Sequence, residues 1–130
     1  DFEIPPNFEI AVNVTVNICE NIEEGLLPQK AIIAFYIGGM GAQERNFHTE
    51  LMGRMGYEEE AKNIQDLFLN GKRNEAIMAV PSAFADEISL VGPKERIAER
   101  LGLWRDSPVT TLIVGANNIN TLRTMAELTL

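Results

Sequence analysis

Residues 87–125, EISLVGPKERIAERLGLWRDSPVTTLIVGANNINTLRTM, constrain the fold more than any other stretch. Twice within them a short apolar run stops at glycine and a helix-like pattern begins. The runs EISLVG and VTTLIVGA are nearly continuous in apolar residues, the pattern of strands buried on both faces. Pro93 stands at an N1-like position of the first helix, where its missing N–H costs nothing. Asn117 and Asn118 are placed to cap the second. Strand, helix, strand, helix in about forty residues is a βαβα unit, and the crossover helix makes the strands parallel.

A third strand opens the chain. In FEIAVNVTVNI (8–18), Phe8, Ile10, Val12, Val14, Val16 and Ile18 alternate with smaller or polar residues, the period of a strand. Asn13, Thr15 and Asn17 therefore share one face. That face is either turned inward toward a ligand, with Asn17 nearest the mouth, or is an outer row covered by helices. Helical material follows. Asn21 caps a helix whose apolar face includes Leu26, Leu27, Ile32, Ile33, Phe35 and Tyr36, with Pro28 in its first turn or at a kink. Gly38 and Gly39 end it. A loop and short helix stop at Gly56, and YEEEAKNIQDLFLNG turns Ala61, Ile64, Leu67 and Phe68 to one side. KRNEAIMAV is a further helix, stopped by Pro81.

Three parallel strands make part of an α/β fold but leave two apolar edges. A (β/α)8 barrel needs eight strands and roughly 250 residues. The expectation is that residues 1–130 are the C-terminal portion of a TIM-type barrel, with a helical insertion after the first strand and the N-terminal strands absent. The opening DFEIPPNFEI lacks an initiator Met and reads as the interior of a longer chain, the other possibility being a domain released by processing.

Composition narrows the partners. A formal net charge of −8 argues against nucleic acid and anionic membranes, which need clustered Lys and Arg. An anionic small ligand stays open, because one helix N-terminus and one cation can hold a phosphate. The single cysteine, Cys19, has no partner for a disulfide and reads as a buried thiol in a reducing compartment. No apolar segment approaches the ~18–20 residues of a membrane helix. With no signal-peptide core, a cytoplasmic location is expected.

Taken together, FYIGGMGAQERNFH, GYEEEAKNIQDLFLNGKRNEAIMAVPSAFADEISLVGPKERIAERL and SPVTTLIVGA resemble the C-terminal part of the luciferase-like monooxygenase superfamily. The nearer likeness is to its deazaflavin (coenzyme F420)-dependent oxidoreductases, the group with methylenetetrahydromethanopterin reductase-like proteins. The resemblance covers nearly the whole chain and rests on the order and spacing of these pieces. It implies a TIM-type barrel that binds F420, or alternatively FMN, at the C-terminal ends of its strands. It also implies hydride transfer to or from a small organic substrate, and a homo-oligomer, commonly a dimer. Much of the cofactor contact would come from earlier strands, so the segment alone is expected to be inactive. The missing barrel half, or a second chain, is its expected partner.

In such a barrel the site lies at the turns after the strands. Gly92, Pro93 and Lys94 form one turn: Gly92 lets backbone approach a ligand, Pro93 opens a helix whose free amides favour an anion, and Lys94 adds charge. The bland alternative is a plain turn with a solvated lysine. Gly115 and Asn117 belong to the next turn, where Asn117 or Asn118 is first a cap and then a ligand contact. Asn17 completes the cofactor-binding set. His48, the only histidine, follows the glycine-rich GMGAQERNF and is either a proton donor near the reduced cofactor or a packing residue. Arg45 and Tyr36 are candidate substrate contacts, against a solvated loop charge and a packed helix face. Zinc chemistry lacks ligands, and no Gly-x-Gly-x-x-Gly, P-loop or Gly-x-Ser-x-Gly occurs. Flavin-type chemistry needs none of these, since the cofactor carries the hydride. Two other classes stay in view: a non-catalytic barrel fragment acting as an assembly partner, and a small free-standing α/β binding module.

Overall fold

The computed structural model describes residues 5–42 and 44–130. Residues 1–4 and Gln43 of the glycine-rich segment lie outside the described residues. Two compact units divide the chain: residues 1–25 with 88–130 form unit 1, and residues 26–87 form unit 2.

Unit 1 is a parallel sheet with helices on one face. Its strands are β1 (Ala11–Ile18), β2 (Ser89–Gly92) and β3 (Thr111–Ala116), in the order β2-β1-β3. Thr15 pairs with Ser89 and Ile18 with Gly92, while Ala11 pairs with Thr111 and Val16 with Ala116. Two helices follow the outer strands, α6 (Lys94–Arg105) and α7 (Ile119–Thr129). The parallel sense of the strands and the crossover by α6 match the sequence expectation, while the order β2-β1-β3 departs from the chain order in which successive barrel strands lie side by side. The architecture is α/β, a parallel sheet with helices.

Period 2 in β1 now has a physical meaning. Val14 and Val16 lie in the core with Leu90, Ile97, Leu101 and Met125, so α6 and α7 cover the even-numbered face. Ala11, Asn13 and Thr15 stand on the other face, which those helices leave uncovered. Of the polar row, Asn13 is exposed, while Asn17 meets the start of α1, where its side chain bonds the Gly25 carbonyl. β1 is also shorter than 8–18 suggests. Phe8 turns back on Pro5, and pairing with β3 begins only where Thr110 and Thr111 donate to the Ile10 carbonyl.

The two later strands differ from each other. All four residues of β2 are buried, as expected. β3 is not buried on both faces: it alternates, with Thr111, Ile113 and Gly115 exposed. Ile113 keeps 50% of its surface. The correction has a simple cause. β3 is an edge strand whose odd-numbered residues lie on the uncovered face, and apolar content alone does not distinguish an uncovered face from a covered one.

Unit 2 is helical. It takes most of α1 (Ile22–Gly39), then α2 (Phe47–Met52), a π-turn (Gly53–Tyr57), α3 (Glu58–Leu69), α4 (Arg73–Ala79) and α5 (Ser82–Glu87). Asn21 starts α1 by accepting from the Glu24 amide at 3.3 Å. Pro28 sits beyond the first turn expected for it, inside the helix. Gly56 breaks α2 from α3 with φ +96°, a conformation that side chains rarely adopt. Gly38 permits a close packing contact, because a Cβ there would overlap the Cβ and ring of Phe68. Ile33, Ala34, Ile37, Met52, Ala61, Ile64, Ala76 and Val80 form its buried interior. No helix among the described residues is long and apolar enough to cross a membrane.

Candidate functional site

In a parallel sheet every strand ends at the same edge. The register therefore gathers three turns there: Cys19–Asn21 after β1, Gly92–Lys94 after β2, and the residues after Ala116 in β3. Gly92 has φ +129°, and a Cβ on it would come within 2.9 Å of the Arg96 Cδ and 3.5 Å of Ile22. A glycine is required by both conformation and space. Its carbonyl accepts from the Cys19 amide at 3.1 Å, which locks the first two turns together.

Pro93 is the N-cap of α6 with extended backbone (φ −60°, ψ 155°), one position before the N1 expected for it. A proline has no side chain that can cap, and no side-chain cap bond forms. The first backbone bond of the helix is donated by Ile97 to Pro93. The amides of Lys94, Glu95 and Arg96 thus precede the intrahelical ladder, and no side chain caps the positive end of the helix dipole, which has Glu95 in its first turn.

Lys94 is not a solvated lysine waiting for an anion. Its Nζ donates to Glu127 of α7 at 2.6 Å, in an exposed pair. Arg96, one turn further on, sends Nη1 to the Val91 carbonyl. Asn17 is similarly engaged: its Nδ2 donates to the Gly25 carbonyl at 2.9 Å. Asn118, rather than Asn117, caps α7, accepting from the Thr121 amide at 2.9 Å. Asn117 stays exposed beside Gly115, where an added Cβ would meet only the Val14 carbonyl, at 3.6 Å.

The remaining candidates belong to unit 2. Tyr36 and His48 pack with ring centroids 4.7 Å apart and planes tilted by 54°, and Phe47 meets His48 edge-on at 5.5 Å. Arg45 is exposed and its amide donates to Ala42 at 3.0 Å. The structure thus brings Asn17, Gly92, Pro93, Lys94, Gly115 and Asn117 to one sheet edge, and Tyr36 and His48 into one aromatic cluster.

Two positioning residues escaped the sequence reading. Asn46 is buried; its Nδ2 donates to the Tyr36 and Ile37 carbonyls at 3.1 and 2.7 Å. Its Oδ1 accepts from the amides of His48 and Thr49, capping α2. Thr49 adds a bond from Oγ1 to Ile37. Asn followed three and four residues later by Thr and Glu is a legible N-cap signal. Gly25 is the second. A Cβ there would overlap Cys19 Sγ and press on Val91 and Asn17, so bare backbone is what lets α1 start against β1. Only a fold places those neighbours around it.

An anionic, phosphate-bearing cofactor fits the sheet edge on these grounds: uncapped amides at α6, a glycine with no room for a side chain, and an open Gly115. The luciferase-like monooxygenase family profile matches residues 3–111. A protein of Mycobacterium tuberculosis (strain ATCC 25618 / H37Rv) named "Putative coenzyme F420-dependent oxidoreductase Rv3520c" is 31% identical over 122 residues, which cover 94% of this chain and 35% of that protein. The chain thus spans about a third of the length of this curated relative. No solved structure matches the chain. A family match across most of the chain, on a parallel α/β sheet, settles the assignment: the chain belongs to the luciferase-like monooxygenase family.

Proposed function

We propose that this chain is the C-terminal part of a barrel oxidoreductase that uses coenzyme F420, its sheet edge forming one wall of the cofactor site. The observation behind the reading is the uncapped N-terminus of α6 at Gly92–Arg96, set at the edge where β1 and β3 also end. The name of the mycobacterial relative supports F420 over FMN. When bound, the deazaflavin supplies the hydride exchanged with a small organic substrate.

The chain's own residues do the rest. Backbone amides of Lys94, Glu95 and Arg96 hold an anionic group without a capping side chain to compete. Gly92 brings the turn close to it. Asn17, held by Gly25, and Asn117 flank the site from the neighbouring strands. Lys94 acts through its pair with Glu127, which fixes the start of α6 to α7. In unit 2, Asn46 fixes His48 on Tyr36, and we assign His48 the exchange of a proton with the substrate and Arg45 its anionic end. The uncovered face of β1 and β3 and the sheet's two edges, at β2 and β3, are completed by further strands of the barrel, and the assembled enzyme acts in the cytoplasm as a homo-oligomer.

Fluorescence titration of the protein with F420 and, separately, FMN tests the reading. Saturable binding of F420, tighter than FMN and weakened by Gly92→Val, is the expected result. Tighter binding of FMN moves the enzyme to the flavin monooxygenases of the same family. Binding of neither overturns a cofactor site at this edge and favours an assembly role.

A further inference from the structure

Unit 2 holds a groove of about 800 Å3 that the cofactor reading does not use. One wall comes from α2 and the π-turn, with Glu50, Gly53 and Arg54. The other comes from α3, where Glu58, Lys62, Gln65 and Asp66 recur at the spacing of one helical face. Gly56, with φ +96°, kinks the chain between the two walls.

Gln65 distinguishes this groove from an ordinary charged surface. Only 7% of its surface is exposed, and it lines the groove. Among the described residues its carboxamide has no hydrogen-bond partner, yet neither amide atom is sealed from solvent. Solvent reaches both amide atoms through the groove, so a ligand there can take over the pairing that water makes with them. A carboxamide offers a donor and an acceptor side by side, which matches another amide. The charges around it point the same way. Arg54 and Lys62 stand with Glu50, Glu58 and Asp66, and among the described residues none of the five forms an ion pair. A lining with more carboxylates than cations disfavours a phosphate or polyanion. Unpaired charges of both signs around an amide suit a ligand that carries both signs itself.

We propose that this groove binds a short zwitterionic peptide. The peptide amide pairs with Gln65, the ammonium lies among Glu50, Glu58 and Asp66, and the carboxylate lies at Arg54 and Lys62. The volume admits a few residues, so recognition rests on termini and backbone rather than on one side chain.

The test is an amide-resolved NMR titration of 15N-labelled protein with triglycine, compared with N-acetyl-triglycine amide, which has the same backbone and no charges. Triglycine is expected to give saturable shifts confined to residues 49–66, and the capped peptide to bind at least about tenfold more weakly. Gln65→Leu, which removes both amide bonds and nearly keeps the volume, is expected to weaken triglycine about fivefold. If that variant fails to fold, the surface double variant Arg54→Gln/Lys62→Gln takes its place, with a similar or larger loss expected. Absence of saturable shifts, shifts outside the groove, equal binding of the capped peptide, or full affinity in the variants would each overturn the proposal.

Discussion

The two units reach a buried core by different means. Unit 1 rests mainly on one sheet face: side chains of β1 and β2 meet α6 and α7 through aliphatic groups, while β2 is buried on both faces and the opposite face of β1 and β3 carries Asn13, Thr111 and Ile113 in the open. Unit 2 has no sheet among the described residues, and its longest helix buries one stripe, Leu26, Ile33, Ala34 and Ile37. It brings helices together by removing side chains, as at Gly38 against Phe68, and by spending polar side chains on backbone, as at Asn46. One half is therefore stabilised by what it buries, and the other depends on a few exact positions.

The contrast can be broken most forcefully in the sheet. Leu90 and Ile97 are fully buried, so Leu90→Ala is expected to cost about 3 kcal/mol by lost transfer and cavity formation, read as a lower midpoint in urea unfolding. In unit 2, a single added methyl does comparable harm. Gly38→Ala is expected to cost about 2 kcal/mol by overpacking on Phe68, and Phe68→Leu in the same chain to recover part of it. If Gly38→Ala is neutral, the two units do not differ in the way described.

Asn46→Ala comes next. It removes the side-chain bonds to the Tyr36 and Ile37 carbonyls, leaving Ile37 the bond from Thr49, and uncaps α2, for about 1.5–2 kcal/mol. Hydrogen exchange is expected to quicken first at the His48 and Thr49 amides. The smallest effects sharpen the comparison. Ile113→Thr on the open sheet face is expected to change the stability of this chain by less than about 0.5 kcal/mol. A large loss there would mean that the face is covered. Lys94→Gln removes an exposed ion pair worth less than about 1 kcal/mol, so any marked loss of anionic ligand binding in that variant belongs to the site and not to folding.

How much of this was legible beforehand follows from which forces act locally. Alternation in Val12, Val14 and Val16, and the two runs that meet Gly92 and Gly115, fix strands and their parallel sense because period and crossover length are written in the chain. Helix ends at Asn21, Gly39 and Asn118 are local too, since a cap bonds residues within one turn. Burial of β3 was misread because covering a face is a property of neighbours distant in sequence. Leu67 and Phe68 were expected on the buried side of α3, yet Gln65 is the more enclosed, for the same reason. Lys94 looked free because its partner Glu127 lies on another helix. Tyr36 and His48 were each read alone, and their packing depends on Asn46 holding two segments together.

The strand order also has a consequence for how the chain acquires its shape. β1 lies between its partners, yet it is made first, and the residues it pairs with, Ser89 and Thr111, come after the whole helical insertion. When β1 is made, neither of these two partners exists yet, and the valines that face them must wait. Contacts within residues 26–87 are mostly local and form quickly, while joining β1 to β2 closes a long loop whose entropic penalty rises with the length left flexible. Helices that condense early shorten that loop. Substitutions in the insertion, such as at Gly38 or Asn46, are therefore expected to slow the appearance of the sheet although they lie outside it, and to lengthen the time for which an apolar strand stands unprotected.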